Sequence, residues 1–280
     1  MSPERILADR LAEALARTDK RPLIVGICGA QGSGKSTLAK ALAHRFPRTA
    51  TLSLDDLYLT RAERAALART RHPLFATRGA PGTHDIALGR ATLDALRAGE
   101  PVRLPRFDKA SDDRSSPDVW PEVSPPYDLV VFEGWCVGAV PQAAEALAAP
   151  INELERTEDS DGCWREAVNA ALAGPYQDLF ARLDMLVLLA APDWETVGQW
   201  RQDQEACLRR TAGEGAGVMD EAAVARFIQH YERLTRHILQ EMPGRADLVL
   251  RLSADRTCRE LQSVAAPQNV LPAADLSTTE

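Results

Sequence analysis

The run Gly29-Ala30-Gln31-Gly32-Ser33-Gly34-Lys35-Ser36-Thr37 places four residues between a glycine and a Gly-Lys-Ser triplet, the spacing of a loop that wraps nucleotide phosphates. Small residues let successive backbone N–H groups turn toward phosphate oxygens, and a helix starting there adds the partial positive charge of its N-terminus. Lys35 can then reach the β- and γ-phosphates, and the Ser36 hydroxyl can ligate magnesium. The apolar run Leu23-Ile24-Val25-Gly26-Ile27 before the loop, and the helical spacing of Leu38, Ala39, Leu42, Ala43 and Phe46 after it, supply the strand–loop–helix context that a simple Gly-rich turn does not need. The pattern predicts a nucleoside triphosphate site.

Phosphoryl transfer also needs a magnesium ligand and, for an alcohol acceptor, a base beside the hydroxyl. Two apolar runs end in carboxylates. Ser53-Leu54-Asp55-Asp56-Leu57-Tyr58 closes one, and in open α/β sheets the ligand crevice lies beyond the carboxyl ends of the strands. Asp55 or Asp56 can take the acceptor proton or hold the metal through water; helix capping is the plainer use of an Asp there, and the two neighbours can serve different ends. Asp128-Leu129-Val130-Val131-Phe132-Glu133-Gly134-Trp135 closes the other, with Glu133 a candidate for the magnesium hydration shell. Arg201, Glu205 and Arg209 recur at intervals of four and so share one helix face. That face is either a lid bringing arginines to a transferring phosphoryl group or a solvated surface of internal ion pairs. Gly213-Glu214-Gly215-Ala216-Gly217 behind it would serve as a hinge. Between the two carboxylate strands lie Arg78-Gly79-Ala80-Pro81-Gly82-Thr83-His84-Asp85, Phe107-Asp108-Lys109 and Asp113-Arg114. From these, Arg78, His84, Lys109 and Arg114 can converge on an anion; capping by Asp85 and ordinary surface charge are the plainer readings.

These groups need elements to hold them. Apolar runs at 22–28, 50–55, 128–132, 184–190 and 247–252 read as buried strands, with helical patterns at 34–46, 85–98, 164–182, 193–211 and 220–240 between them. The alternation predicts an α/β fold whose parallel sheet is covered by helices on both faces. Residues 2–20 read as an amphipathic helix. The Pro-rich stretch 101–127 is too long for a plain connection and reads as an excursion over the site. One domain over 1–264 is expected, with a lid at about 193–219, a substrate-loop excursion at about 70–127 and a frayed tail over 265–280. Lys and Arg total 33 against 40 Asp and Glu, so the net charge of −7 repels a nucleic-acid backbone. Cysteines 28, 136, 163, 207 and 258 have no paired short spacing, which argues against zinc or a disulfide framework and for a reduced, intracellular protein. With no signal peptide and no membrane-length apolar run, a cytoplasmic protein without a membrane partner is expected, monomeric or homodimeric.

With these residues assembled, the sequence resembles the phosphate-loop D-glycerate 3-kinases and their kinase-like relatives, within the wider group of uridine kinase, pantothenate kinase and phosphoribulokinase. The resemblance spans about 22–255 and rests on Ser53 to Thr60, Arg78 to Asp85, Phe107-Asp108-Lys109, Phe132-Glu133-Gly134-Trp135-Cys136-Val137-Gly138, and Trp200-Arg201 with Gln204-Glu205. It implies a phosphate-loop NTPase fold of three αβα layers, a central, mainly parallel sheet and a helical lid. It also implies ATP and Mg2+ as cofactors, Lys35 and Ser36 on phosphate and metal, Asp55 as base or metal-associated carboxylate, Glu133 at the metal, and Arg201 and Arg209 in the lid. Asp56, Tyr58, Arg78, His84, Lys109 and Arg114 form the expected substrate set. Asp112-Asp113-Arg114 departs from the Gly-Asp-Arg expected of relatives, and Leu57 replaces an aromatic residue. The implied acceptor is a small hydroxy acid, D-glycerate, whose carboxylate suits fork-shaped cations. A nucleoside acceptor would want stacking, and only 5% of residues are aromatic, although Tyr58, Phe107 and Trp135 lie close by. Another small acceptor, or a nucleotide switch without one, remains an alternative.

Overall fold

The structure, a computed structural model, describes residues 2–212 and 220–263, without the side chains of 208–212 and 221. The amphipathic N-terminal stretch forms α1 (Pro3–Arg17), burying Leu7 and Leu11. Strand β1 (Leu23–Gly29), buried throughout, runs into the phosphate loop and then α2 (Lys35–Arg45). Strand β2 (Thr49–Ser53) ends in a short 3-10 turn over Leu54–Leu57 that carries Asp55 and Asp56. Helix α3 (Arg61–Thr70) opens on a capping box, in which Thr60 and Glu63 each accept the other's backbone N–H. Helix α4 (Ile86–Arg97) starts on the Asp85 cap.

The Pro-rich stretch folds into four two-residue strands, β3 (Val102–Arg103), β4 (Phe107–Asp108), β5 (Asp113–Arg114) and β6 (Glu122–Val123). They pair as two antiparallel ribbons, β3 with β6 and β4 with β5. The chain continues through β7 (Leu129–Gly134), α5 (Glu153–Glu158), α6 (Cys163–Ala171), a π-turn over Leu172–Tyr176, α7 (Gln177–Phe180) and β8 (Met185–Ala190). Helices α8 (Trp194–Ala212) and α9 (Glu221–Glu241) precede β9 (Leu248–Leu252) and β10 (Cys258–Ser263).

The six large strands form one sheet in the order β10-β9-β8-β1-β7-β2, parallel except for β10, which runs antiparallel to β9. Successive side chains leave a strand on opposite faces, and the core divides accordingly. Ile24, Leu52, Val130, Phe132, Leu188 and Val249 pack with Leu93, Leu179 and Ile238 on the side of α4, α7 and α9. Val25, Ile27, Val131, Val187 and Leu250 pack with Leu7, Leu38, Leu42 and Val197 on the side of α1, α2 and α8. Both faces of the sheet are thus dry, and functional groups are left to the loops at its carboxyl edge.

The short helix α5 is not expected from sequence, and three further elements differ for plain physical reasons. The helix expected over 164–182 is interrupted where Gly174 leaves helical φ/ψ and Pro175 lacks an N–H to donate. Strand β10 escapes a pattern search because this edge strand buries only Cys258 and carries no apolar run. Helix α3 buries only Arg64 and so offers no apolar stripe. The expected hinge at 213–217 and tail at 265–280 lie outside the described residues. Among the described residues no helix is long and apolar enough to cross a membrane.

Candidate active site

Gly34, in the left-handed region at φ 91°, turns the chain from the loop into α2. Gly32, at φ 77°, lies against α8: a Cβ there would come within 2.6 Å of the Trp200 Cβ. Trp200 is buried, and its indole N–H donates to the Ala254 carbonyl at 2.7 Å, in the turn between β9 and β10. From the same turn Arg256 stacks on the Trp200 ring at 5.2 Å and donates to the Gly32 carbonyl at 2.6 Å. The loop is therefore clamped from outside, by the start of α8 and by the last hairpin.

Inside it, Lys35 Nζ donates to the Ala30 carbonyl at 3.1 Å, and Ser36 Oγ donates to Glu133 Oε1 at 2.9 Å. Glu133 stands near the end of β7, in register with Ile27 of β1 and Ser53 of β2, and is 5% exposed. Parallel pairing at the sheet centre is what brings it to the helix that carries Ser36. Ser33 Oγ is buried without a hydrogen-bond partner among the described residues. Ser36 and Thr37 are exposed in the first turn of α2. Such a loop can bind a polyanion: it offers a helix N-terminus, an ammonium held only by its own loop, and a spare hydroxyl.

The two neighbouring aspartates have separate roles. Asp55 accepts from Tyr58 Oη at 2.8 Å and from Lys109 Nζ at 2.6 Å. Burial alone would raise its pKa, but the Lys109 charge and hydrogen bond, the Tyr58 hydroxyl and the charge of Lys35 together lower it to about 2. Its oxygens engage Tyr58 and Lys109 and are not joined to the Ser36–Glu133 pair. Asp56 accepts from the Phe107 backbone N–H and from Arg106, both at 3.1 Å, and so fastens the β4–β5 ribbon to the end of β2. Tyr58 stacks on His84 with ring centroids 4.6 Å apart and meets Phe107 edge-on at 5.2 Å.

The cationic cluster is more braced than its residue types imply. His84 is buried, its Nδ1 lies 2.5 Å from Tyr176 Oη, and burial lowers its pKa to about 3. It is neutral at physiological pH and can offer an anion a hydrogen bond but no charge. Arg78 pairs with Asp112 and lies over the Phe107 ring at 5.6 Å. Arg114 bonds the Tyr58 carbonyl at 2.9 Å and pairs with Asp85 at 3.1 Å, so Asp85 both caps α4 and holds an arginine. Lys109, 60% exposed, is the cation most open to solvent in this set. Asp112 occupies φ 55°, which explains the missing glycine of its motif: the turn needs a left-handed residue. Aspartate tolerates that conformation and supplies a carboxylate to Arg64 and Arg78.

On α8, Arg201 pairs with Glu205 at 2.7 Å and lies over the Phe227 ring of α9 at 5.7 Å. The two side chains are only 11% and 3% exposed, so this face is not the solvated surface of the plainer reading. The side chain of Arg209 lies outside the described residues. Sequence reading passed over Tyr176, Tyr231 and Arg256, which touch His84, the Arg78–Gly79 segment and the phosphate loop from more than 90 positions away. No local pattern marks a residue of that kind.

The model of the Phosphoribulokinase / Uridine kinase family matches residues 24–148. The chain is 36% identical over 249 residues to "Uncharacterized kinase mug58" of Schizosaccharomyces pombe, covering 82% of this chain and 87% of that protein. It is 33% identical to the chloroplastic D-glycerate 3-kinase of Arabidopsis thaliana, of whose length it spans about half, 51%. The solved D-glycerate 3-kinase from Cryptococcus neoformans superposes with a TM-score of 0.77 at 27% identity, over 93% of this chain and 99% of that one. A phosphate loop on β1, an acidic residue near the end of β7, a mostly parallel sheet and these likenesses converge on one conclusion: the chain is a kinase of the phosphoribulokinase/uridine kinase family.

Proposed function

We propose that this kinase uses ATP and Mg2+ to phosphorylate the alcohol of a small hydroxy acid, D-glycerate, to give 3-phosphoglycerate, and that it does so in the cytoplasm as one domain. The observation that carries the reading is Asp55, held ionised beyond the end of β2 with the charges of Lys35 and Lys109 bearing on it. A carboxylate between a phosphate loop and a ring of hydrogen-bond donors is what in-line transfer to a hydroxyl requires. The names of the Arabidopsis and Cryptococcus relatives support the acceptor.

The loop residues fit a triphosphate, since among the described residues Ser33 Oγ is a buried orphan and Lys35 has only the Ala30 carbonyl to release. Ser36 and Glu133, already joined at 2.9 Å, would hold the magnesium and its water. When bound, ATP–Mg2+ supplies the phosphoryl group and neutralises charge on it. With a pKa of about 2, Asp55 is a weak base; it orients the acceptor hydroxyl and receives its proton late, as the new P–O bond forms. Lys109, Arg78 and the neutral His84 offer the acceptor carboxylate charge and hydrogen bonds. Arg201, buried against α9, brings positive charge toward the phosphates and, with α8, keeps water out.

The test is ADP release with Mg–ATP against D-glycerate, L-glycerate, uridine, pantothenate and no acceptor, with Lys35→Ala as blank. Stimulation by D-glycerate with a phosphoglycerate product supports the reading. Stimulation by another acceptor leaves a kinase with a different substrate, and acceptor-independent turnover makes the protein an ATPase switch.

A further inference from the structure

The one residue that α3 buries, Arg64, spends its guanidinium on three separate segments. Its Nε donates to the Leu59 carbonyl at 3.2 Å and one terminal nitrogen to the Ala76 carbonyl at 2.8 Å. The other terminal nitrogen meets the Asp112 carbonyl at 2.7 Å and Asp112 Oδ2 at 2.8 Å. Leu59 follows Tyr58, Ala76 shortly precedes Arg78, and Asp112 shortly precedes Arg114. The rigid fork of one arginine therefore sets the spacing of the segments that carry the expected acceptor residues. With its side chain 2% exposed, Arg64 has no charge to offer a ligand directly.

Arg78 takes the other oxygen of the same carboxylate, Asp112 Oδ1, and the two guanidinium groups lie 5.6 and 5.8 Å from the centre of one ring, Phe107. Two arginines thus share a single aspartate. The neighbouring cations each have a carboxylate of their own: Lys109 has Asp55, Arg106 has Asp56 and Arg114 has Asp85. Asp113 accepts from the backbone N–H groups of Arg61 and Arg114, and among the described residues it pairs with no guanidinium. These ion pairs leave one positive charge over, and it surfaces at Arg78, whose side chain is 25% exposed.

We infer that Asp112 is a specificity-determining residue: shared between Arg64 and Arg78, its carboxylate holds the acceptor site to one surplus positive charge and so favours monoanions over dianions. This rests on the proposed reading of Arg78 and its neighbours as the acceptor site. A monoanion neutralises the surplus, whereas a dianion keeps one charge uncompensated in a partly buried place. Removing the Asp112 carboxylate raises the surplus to two and strengthens the field on every anion. A dianion carries twice the charge in that field, so its affinity rises by the square of the monoanion's factor. One partly exposed charge pair is worth about threefold, which gives about threefold for a monoanion and about tenfold for a dianion.

Calorimetric titration of the full chain, loaded with Mg–AMP-PNP, tests this without turnover. The monoanions are D-glycerate, L-glycerate and glycolate, and the dianions are tartronate and malate, all at neutral pH. The wild type is expected to bind the monoanions more tightly. In Asp112→Asn the ratio of dianion to monoanion affinity rises about threefold, and added salt shrinks that gain. Asp112→Gly takes φ 55° without strain and stands in if Asp112→Asn does not fold. Because asparagine keeps a side-chain oxygen and glycine does not, the same ratio in both variants identifies the charge as the cause. An unchanged ratio in the folded variants, a wild type that prefers dianions, or one that binds none of these anions overturns the inference. Binding of glycolate or L-glycerate in preference to D-glycerate discards D-glycerate and leaves the role of Asp112 standing.

Discussion

Gly79→Ala puts a methyl group where the structure has none to spare. The Cβ would stand 1.9 Å from the Tyr231 hydroxyl oxygen, 2.4 Å from Cζ and 2.7 Å from Cε1, with φ at +131°. Tyr231 is 3% exposed and pinned against Trp135, so its ring has nowhere to turn. Overpacking of a filled core costs about 1–3 kcal/mol, the backbone conformation about 1–3 more, and the displaced Tyr231–Arg78 bond about 1, giving roughly 3–7 kcal/mol. Gly99→Ala is the control: its φ of +72° is also unfavourable for alanine, but no atom lies within 4 Å of the new Cβ, so it should cost only about 1 kcal/mol. Urea denaturation with a shared m-value measures both. Tyr231→Phe should not rescue Gly79→Ala, because Cζ and Cε1 remain in the way. A Gly79→Ala variant within about 1 kcal/mol of Gly99→Ala would refute the packing argument.

Lys35→Ala should lower phosphoryl transfer at least about a hundredfold while leaving thermal stability near wild type, since among the described residues its only hydrogen bond is to Ala30; steady-state kinetics and calorimetry read both. Asp55→Asn should lower kcat by about 10²–10⁴ with ATP affinity retained, and an equal loss of ATP affinity would move Asp55 to the metal. Lys109→Met leaves burial of Asp55 opposed chiefly by Tyr58 and Lys35, so a carboxyl-carbon NMR titration should show the Asp55 pKa rising from about 2; no movement would mean that Lys109 does not hold it. Burial keeps His84 and His230 neutral, with pKa values of about 3 and 4. The unfolded chain therefore binds more protons than the folded one below about pH 6.5, and stability should fall as pH drops from there toward 4, by up to about 1.4 kcal/mol per pH unit for each histidine. Denaturation curves at several pH values check the sign, and His230→Gln should flatten the slope.

The central sheet and the phosphate loop were legible because each is local: an apolar run and the glycine spacing beside it need no distant partner. Asp55 and Glu133 could be found for the same reason, as carboxylates closing apolar runs. What Asp56 does could not, because its partners Arg106 and Phe107 arrive from a ribbon about 50 positions on. His84 illustrates a second limit. Its residue type allows either charge state, and only burial beneath Tyr58 and Tyr176 decides for the neutral one. Arg201 is a third case: spacing placed it and Glu205 on one face, but spacing alone does not say whether that face is wet or packed on Phe227.

The clamp on Gly32 has a consequence for how the protein comes into being. Arg256 and the Ala254 carbonyl, which hold the loop and Trp200 in place, lie more than 220 positions after the glycine they secure. Since synthesis is vectorial, the phosphate loop leaves the ribosome more than 220 residues before Arg256 and acquires its final shape only after the turn between β9 and β10 has followed it. A nascent or C-terminally clipped chain carries the complete motif and lacks the grip that shapes it. Nucleotide binding in this fold therefore reports that the chain as far as the turn between β9 and β10 has been made and folded.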